Sequence, residues 1–383
     1  MLELSPIIDR ITLHHISLPL VTPFRTAFGT LTERECLLVC VRADGLVGWG
    51  ECVAGMVPPR EAVAAGNSWL YSYETTTTAW HALADLLIPR LLGAPADVAR
   101  VVVAGQTLRG HPMAVAALEA AVWDVVAQAA GQSLATALGG QRSRVDVGVV
   151  VGLQRDSAAL VDTLAAQVAA GYRRVKIKIG PGHDRALVAA ARERFPDLPL
   201  WVDANSAYDL ADADTLAALD EFDLGLIEQP LAPDNLVDHA ELQRRLATPI
   251  CLDESIASLA DARSALALSA ARVINIKPGR VGGLSAARRI HDLCHAAGIP
   301  VWCGGMLETG IGRAANLALA ALSGFTLPGD LSASSRYYTE DLVEPPFTLN
   351  ADGTMDVPTG AGLGVVVDEA RVDAATLRRV AFR

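Results

Sequence analysis

No two cysteines in this 383-residue chain form a Cys-x-x-Cys pair. The six present (Cys36, Cys40, Cys52, Cys251, Cys294, Cys303) are scattered, which excludes a disulfide framework and a cysteine-ligated zinc site and reads as buried thiols of a reducing compartment. Runs of basic residues are also missing, and the net charge is −11, so neither nucleic acid nor an anionic membrane suits this chain as a partner. No uncharged apolar run reaches the roughly 18 residues that a membrane span needs. The opening MLELSPIIDR lacks a basic stretch followed by an apolar one, so no secretory signal is expected and a cytoplasmic location is. No Gly-x-Gly-x-x-Gly follows the first strand of the repeating region, which weighs against a dinucleotide-binding open sheet.

What is present falls into two rhythms. Up to about residue 140 the chain reads as an α+β unit. DRITLHHISLPL and ECLLVCVRADGLVGWGEC are strand-like, and AWHALADLLIPRLLG and PMAVAALEAAVWDVVAQAAG are helical. Between Glu51 and Thr78 the pattern is loop and short helix. From 141 to 330 short apolar strands alternate with Ala-rich helical stretches: VDVGVVVG, VKIKIG, LWVDANS, LGLIEQP, PICLDES, VINIKPG, PVWCGGM and FTLPGD. Eight such units predict an α/β fold, a modified (β/α)8 barrel, with 1–140 as a capping domain to which a tail, 331–383, returns.

The polar residues that end these strands keep a constant interval. Lys178, Asp203, Glu228, Asp253 and Lys277 are 25, 25, 25 and 24 residues apart, about one strand-plus-helix unit. In such barrels the C-terminal strand ends carry the chemistry, so these five charges ring one mouth. Any single acid here reads equally well as a helix cap, Asp253 before Ser255 for instance. Five at regular intervals do not. In VKIKIG the alternation of a strand sends Val175, Ile177 and Ile179 to one face, and Lys176 with Lys178 to the barrel interior.

Three carboxylates with no His or Cys suit a hard divalent ion, Mg²⁺ before Mn²⁺ or Ca²⁺. Two lysines on strands two and six of eight face each other across it. That arrangement fits removal of a carbon-bound proton beside a carboxylate, with a cation holding the oxygens of the enediolate.

VKIKI, WVDANSAY, IEQPL, CLDES, INIKPGRVGG and VWCGGMLETGIGRA, with PFRTAFGT and GWGEC in the first unit, resemble the enolase superfamily. They are most similar to the o-succinylbenzoate synthase/N-succinylamino acid racemase family of its muconate-lactonizing subgroup. The resemblance implies a barrel with a capping domain and Mg²⁺ (or Mn²⁺) on Asp203, Glu228 and Asp253. It implies Lys178 and Lys277 as acid/base residues, with Lys176, Asn205, Arg280, Phe24, Gly305 and Met306 around a small carboxylate substrate. Phe24 to Gly29 would form a lid. Barrels of this kind commonly self-associate, so a homo-oligomer is expected. Two departures touch specificity: Val150 stands where close relatives often carry serine, and the stretch after Glu51 matches relatives poorly.

The histidines add no chemistry. His291 and His295, four apart in RRIHDLCHAAG, read as a solvated helix face rather than a metal pair. Two reactions fit the resemblance, dehydration to o-succinylbenzoate in menaquinone synthesis and racemization of N-succinylamino acids. Dipeptide epimerization ranks lower, because the segment after strand eight is Asp330-Leu331-Ser332 rather than Asp-x-Asp. Muconate cycloisomerization ranks lower still, and a non-catalytic barrel is the reading of another class.

Overall fold

The computed structural model describes residues 5–26, 29–55, 71–182 and 184–383. The first unit is a long antiparallel hairpin, β1 (Ile8–Thr26) and β2 (Gly29–Ala43), followed by β3 (Leu46–Cys52). Ile11, Leu13, Leu37, Val39 and Val41 line one face of this sheet and are fully buried against helix α1 (Pro112–Ala129) and its neighbours. Gly48 and Gly50 allow that approach: a Cβ at either would stand 2.2 and 2.0 Å from the Ala121 and Ala117 carbonyl oxygens of α1. By length and composition α1 is apolar enough to cross a membrane, yet most of it is buried inside the protein.

The second unit is a seven-stranded parallel sheet in sequential order: β4 (Val149–Val151), β5 (Val175–Lys178), β6 (Leu200–Asp203), β7 (Ile227–Glu228), β8 (Ile250–Leu252), β9 (Val273–Ile276) and β10 (Val301–Cys303). Helices return the chain between successive strands, as right-handed βαβ units require. The expected eighth strand, FTLPGD, is not a ladder strand. Pro328 has no N–H to donate, and only bridges at Val301–Phe325 and Val147–Gly329 tie the segment on either side. Asp330 N–H donates to Cys303 O and Gly329 N–H to Asp146 O, which closes the barrel. The expected first strand is likewise shorter, broken at Gly148, where a Cβ would lie 2.2 Å from the Arg174 guanidinium carbon.

Side chains inside the barrel are stacked in levels. Trp201, Leu226, Cys251, Val273 and Trp302 form an apolar floor, and the guanidinium carbon of Arg174 lies 4.2 Å from the centre of the Trp201 ring. Two residues beyond Trp201, Leu226 and Cys251, toward the C-terminal ends, come Asp203, Glu228 and Asp253, and Lys277 follows Val273 by four. The chain ends in β11 (Thr376–Phe382), which pairs antiparallel with β1 at the edge of the first sheet.

Three further sequence expectations change. AWHALADLLIPRLLG is not one regular helix: a short α-helix (Thr76–His81) runs into a π-helical stretch (Ala82–Leu87) and a 3-10 turn (Ile88–Arg90) ahead of Gly93. His291 is buried rather than solvated. Its Nδ1 bonds Asp292, its Nε2 accepts from Gly324 N–H, and its ring stacks on Phe325 at 5.0 Å. Phe24 to Gly29 is not an irregular loop in its described part, because Phe24, Arg25 and Thr26 pair with Leu31, Thr30 and Gly29 at the hairpin end. Residues 27–28 of the expected lid and 56–70 of the poorly patterned stretch lie outside the described residues. All six cysteines are free and buried.

Candidate active site

Register brings the spaced charges together. Lys178 pairs with Asp203 across β5 and β6, and Asp203 with Glu228 across β6 and β7. Lys176 and Lys178 point inward, while Val175 and Ile177 pack in the outer core. Asp203, Glu228 and Asp253 are 2%, 0% and 0% exposed, so none is a solvated helix cap. The helix after β8 takes its cap from Ser258 instead.

Each carboxylate is held by cations. Lys178 Nζ lies 2.6 Å from both Asp203 Oδ2 and Asn205 Oδ1. Lys176 Nζ reaches Glu228 Oε2, Asp203 Oδ2 at 3.3 Å and Asp330 Oδ2 at 2.6 Å. On the opposite wall Lys277 Nζ is 2.7 Å from Asp253 Oδ2, and Arg280 pairs with Asp253 Oδ1. The strand order places four steps between the Lys178 and Lys277 strands, so the two amines enter from opposite sides.

The electrostatics follow from burial and neighbours. Burial, reinforced by the Asp203 charge, pushes the Glu228 carboxyl up to about 8. Burial raises Asp253 too, but the Arg280 and Lys277 charges outweigh it and hold this carboxyl well below the usual range. Burial disfavours the charged form of Lys277, yet the adjacent Asp253 raises its pKa above that of a free lysine. Asn205 and Gln229, just past the ends of β6 and β7, adopt left-handed backbone (φ 42° and 38°), an unfavourable conformation for non-glycine residues. That turn lets Asn205 accept from Lys178 and donate from its Nδ2 to Glu254 Oε1. The Gln229 side-chain oxygen accepts the N–H groups of Asp253 and Ser255 and so fixes the end of β8.

The set of donors fits a hard divalent cation. Asp203, Glu228 and Asp253 offer only oxygen and come from consecutive strands, and burial, together with the Asp203 and Asp253 charges, raises the Glu228 carboxyl. The buried Glu254 Oε2 has no hydrogen-bond partner. As they stand, no three His, Cys, Asp or Glu side chains among the described residues form a metal-holding group. Lysine and arginine cations neutralise the carboxylates instead.

Several site groups escaped the sequence pattern. Asp330 bridges Arg174 (2.7 Å) and Lys176 (2.6 Å) from the irregular eighth position. Asn275 Nδ2 donates to Glu228 Oε1 at 2.9 Å; the β9 alternation with Lys277 was the available signal. The hydroxyl oxygen of Tyr71, from the stretch without a pattern, accepts from Lys277 Nζ at 3.2 Å and from Arg280 at 3.0 Å. Arg280 is 5% exposed and its guanidinium is engaged with Asp253, Tyr71, Ile256 O and Asn275 O, so it backs the Asp253 wall. Gly305 lies where a Cβ would be 2.3 Å from Asp330 O, and Met306 N–H donates to Glu308 Oε2 while its side chain packs on the first unit. Phe24 is half-buried in the hairpin arm, and Val21 N–H ties that arm to Tyr337 O.

A two-unit chain whose barrel mouth opposes two lysines across three carboxylates defines a class of fold and site, and the comparisons name it. Residues 10–139 match the mandelate racemase/muconate lactonizing enzyme N-terminal domain and residues 159–371 the enolase C-terminal domain-like family. The chain belongs to the enolase superfamily, in the family that holds o-succinylbenzoate synthases and N-succinylamino acid racemases. It is 49% identical over 371 residues to an o-succinylbenzoate synthase of Geobacillus kaustophilus, covering 96% of each chain. It is also 49% identical over 372 residues to an N-succinylamino acid racemase of Amycolatopsis sp, covering 97% of this chain and 98% of that one. A solved enolase-superfamily structure from Listeria innocua superposes with a TM-score of 0.91 at 39% identity, over 98% of this chain and 99% of the other.

Proposed function

We propose that this chain catalyses enolization of a succinyl-bearing carboxylate, as an o-succinylbenzoate synthase, an N-succinylamino acid racemase, or both. The observation that carries the reading is the opposition of Lys178 and Lys277, each hydrogen-bonded to a different carboxylate of one buried set. Asp203, Glu228 and Asp253 would hold Mg²⁺ or Mn²⁺. When bound, the cation supplies a Lewis acid that stabilises the negative charge spreading onto the substrate carboxylate. Lys178, oriented by Asp203 and Asn205, removes the proton alpha to that carboxylate from one face. In racemization Lys277 delivers a proton to the opposite face. In syn dehydration Lys178 alone serves both steps and returns its proton to the departing hydroxide. Lys176, whose charge is fixed by Asp330 and Glu228, stands beside the developing enediolate oxygens.

Charge balance favours an anionic substrate. Arg174, Lys176, Lys277 and Arg280 largely offset Asp203, Glu228, Asp253, Glu254 and Asp330 in and below the mouth. A bound divalent cation would leave positive charge in excess, which the substrate carboxylate neutralises. A cytoplasmic, small-molecule role is consistent with the six free thiols.

The test is incubation with Mg²⁺ in D₂O of N-succinyl-L-phenylalanine, followed by NMR and polarimetry. Loss of the alpha-proton signal with decay of rotation establishes racemization. If neither changes, and the cyclohexadiene precursor of o-succinylbenzoate is not dehydrated either, the reading is wrong.

A further inference from the structure

A second cationic cleft lies on the first unit, with no residue in common with the barrel mouth. It is a cavity of about 330 Å³ between one face of the antiparallel sheet and the helix Glu369–Ala375. Arg10 from β1, Arg42 from β2, and Arg379 with Arg383 from the edge strand and the residue after it all line it, over a floor that includes Trp49 and Cys40. In a chain of net charge −11 this convergence of four guanidinium groups is unusual.

The compensation is incomplete. Arg42 is paired with Glu369 at 3.0 Å, and Arg379 reaches Asp373 at 3.5 Å. No acidic side chain among the described residues pairs with Arg10 or Arg383. Arg10 stands directly opposite Arg42 in the β1–β2 register, a like-charge cross-strand pair that destabilises a sheet. Its Nε is buried without a hydrogen-bond partner, which costs free energy unless something else accepts from it. His14 adds no charge to offset these, since burial and the Arg379 charge lower its pKa and keep the ring neutral.

We propose that this cleft is a non-catalytic anion site that takes a small dianion, with the chemistry shared by phosphate and dicarboxylates. Arg10 and Arg383 supply the unpaired charge, and the Trp49 side supplies an apolar wall for any organic part. A volume of about 330 Å³ exceeds that of one bare phosphate and lies within the range of small-ligand sites.

The full chain is titrated with inorganic phosphate and, separately, with succinate at constant ionic strength, with chloride as control. Thermal unfolding and calorimetry read binding. Saturable stabilisation on the order of 2 °C is expected for the wild type at ligand well above Kd. Arg10→Gln and Arg383→Gln, each checked for a melting point without ligand no lower than that of the wild type, should weaken binding at least tenfold and leave turnover at the barrel intact. Response to phosphate alone identifies a phosphate site, to succinate alone a dicarboxylate site, and to both a site selecting charge. Absence of binding in the wild type, or equal binding in both variants, overturns the proposal. Succinate binding at the barrel mouth is recognised by its persistence in Arg10→Gln.

Discussion

The Tyr71 hydroxyl stands 3.2 Å from Lys277 Nζ, so a side chain of the first unit touches one of the two lysines proposed as acid/base groups. The same hydroxyl accepts from Arg280 at 3.0 Å. Removing it with Tyr71→Phe leaves Lys277 held by Asp253 but no longer fixed in direction. We expect racemization to slow by about tenfold, the usual worth of a hydrogen bond to a charged group. Dehydration, which depends on Lys178, should change little. Steady-state kcat on both substrates checks this, and an equal loss in both would count against the division of labour.

The two lysines themselves give a sharper pair of variants. Lys277→Ala should lower racemization by about 10²–10⁴-fold, whereas Lys178→Ala should remove both reactions to that extent. Deuterium uptake at the alpha-carbon, followed by NMR, separates them. Unchanged racemization in Lys277→Ala would exclude a two-base route.

Asp330 neutralises Arg174 and Lys176 below the mouth, and all three are buried. Asp330→Asn leaves the two cations without a charge between them. The expected cost is about 3–5 kcal/mol of stability, measured by urea unfolding, with Lys176 displaced from the site. Gly148→Ala tests the same network sterically, since its Cβ would collide with Arg174. It should cost about 1–3 kcal/mol.

Stability should fall as pH rises from about 4.5 to about 7. Glu51, Glu74 and Glu119 accept N–H groups at Thr309, at Met113 with Ala114, and at Ser285, all at or beside helix starts, and burial pushes each carboxyl up to about 7. Their folded-state pKa values exceed the unfolded value near 4.5, so the folded protein binds more protons through that window and loses stability as they leave. Asp253 and Asp330 act in the opposite sense. Although burial raises them, neighbouring cations hold them below the unfolded value, so their contribution disappears as pH falls below about 4. Denaturant midpoints at pH 5, 6, 7 and 8 should therefore decline in that order, and a rising series would contradict the assignment.

The barrel and the five spaced charges were legible because strand alternation and the interval of about 25 residues are periodic signals. Lys178, Asp203, Glu228, Asp253 and Lys277 announce themselves by position in a repeat. Tyr71 and Asp330 belong to no such period. One follows a stretch without regular pattern, and the other sits where Pro328 prevents a regular ladder. Burial of His291 was hidden for a related reason: its partners, Gly324 N–H and Phe325, come from a turn more than 30 residues away. At Arg280 the resemblance implies a substrate contact, and only the fold shows the bonds of its guanidinium to Asp253, Tyr71, Ile256 O and Asn275 O.

Strand β5 is four residues long, with each inward lysine followed or preceded by an outward aliphatic. One residue inserted within Val175–Lys178 would turn Val175 or Ile177 toward the mouth and push a lysine into the outer apolar layer. The helices and turns behind the strands carry no such constraint. Length variation among proteins built on this plan should therefore collect there, and an insertion scan should find the inner strands intolerant even of alanine.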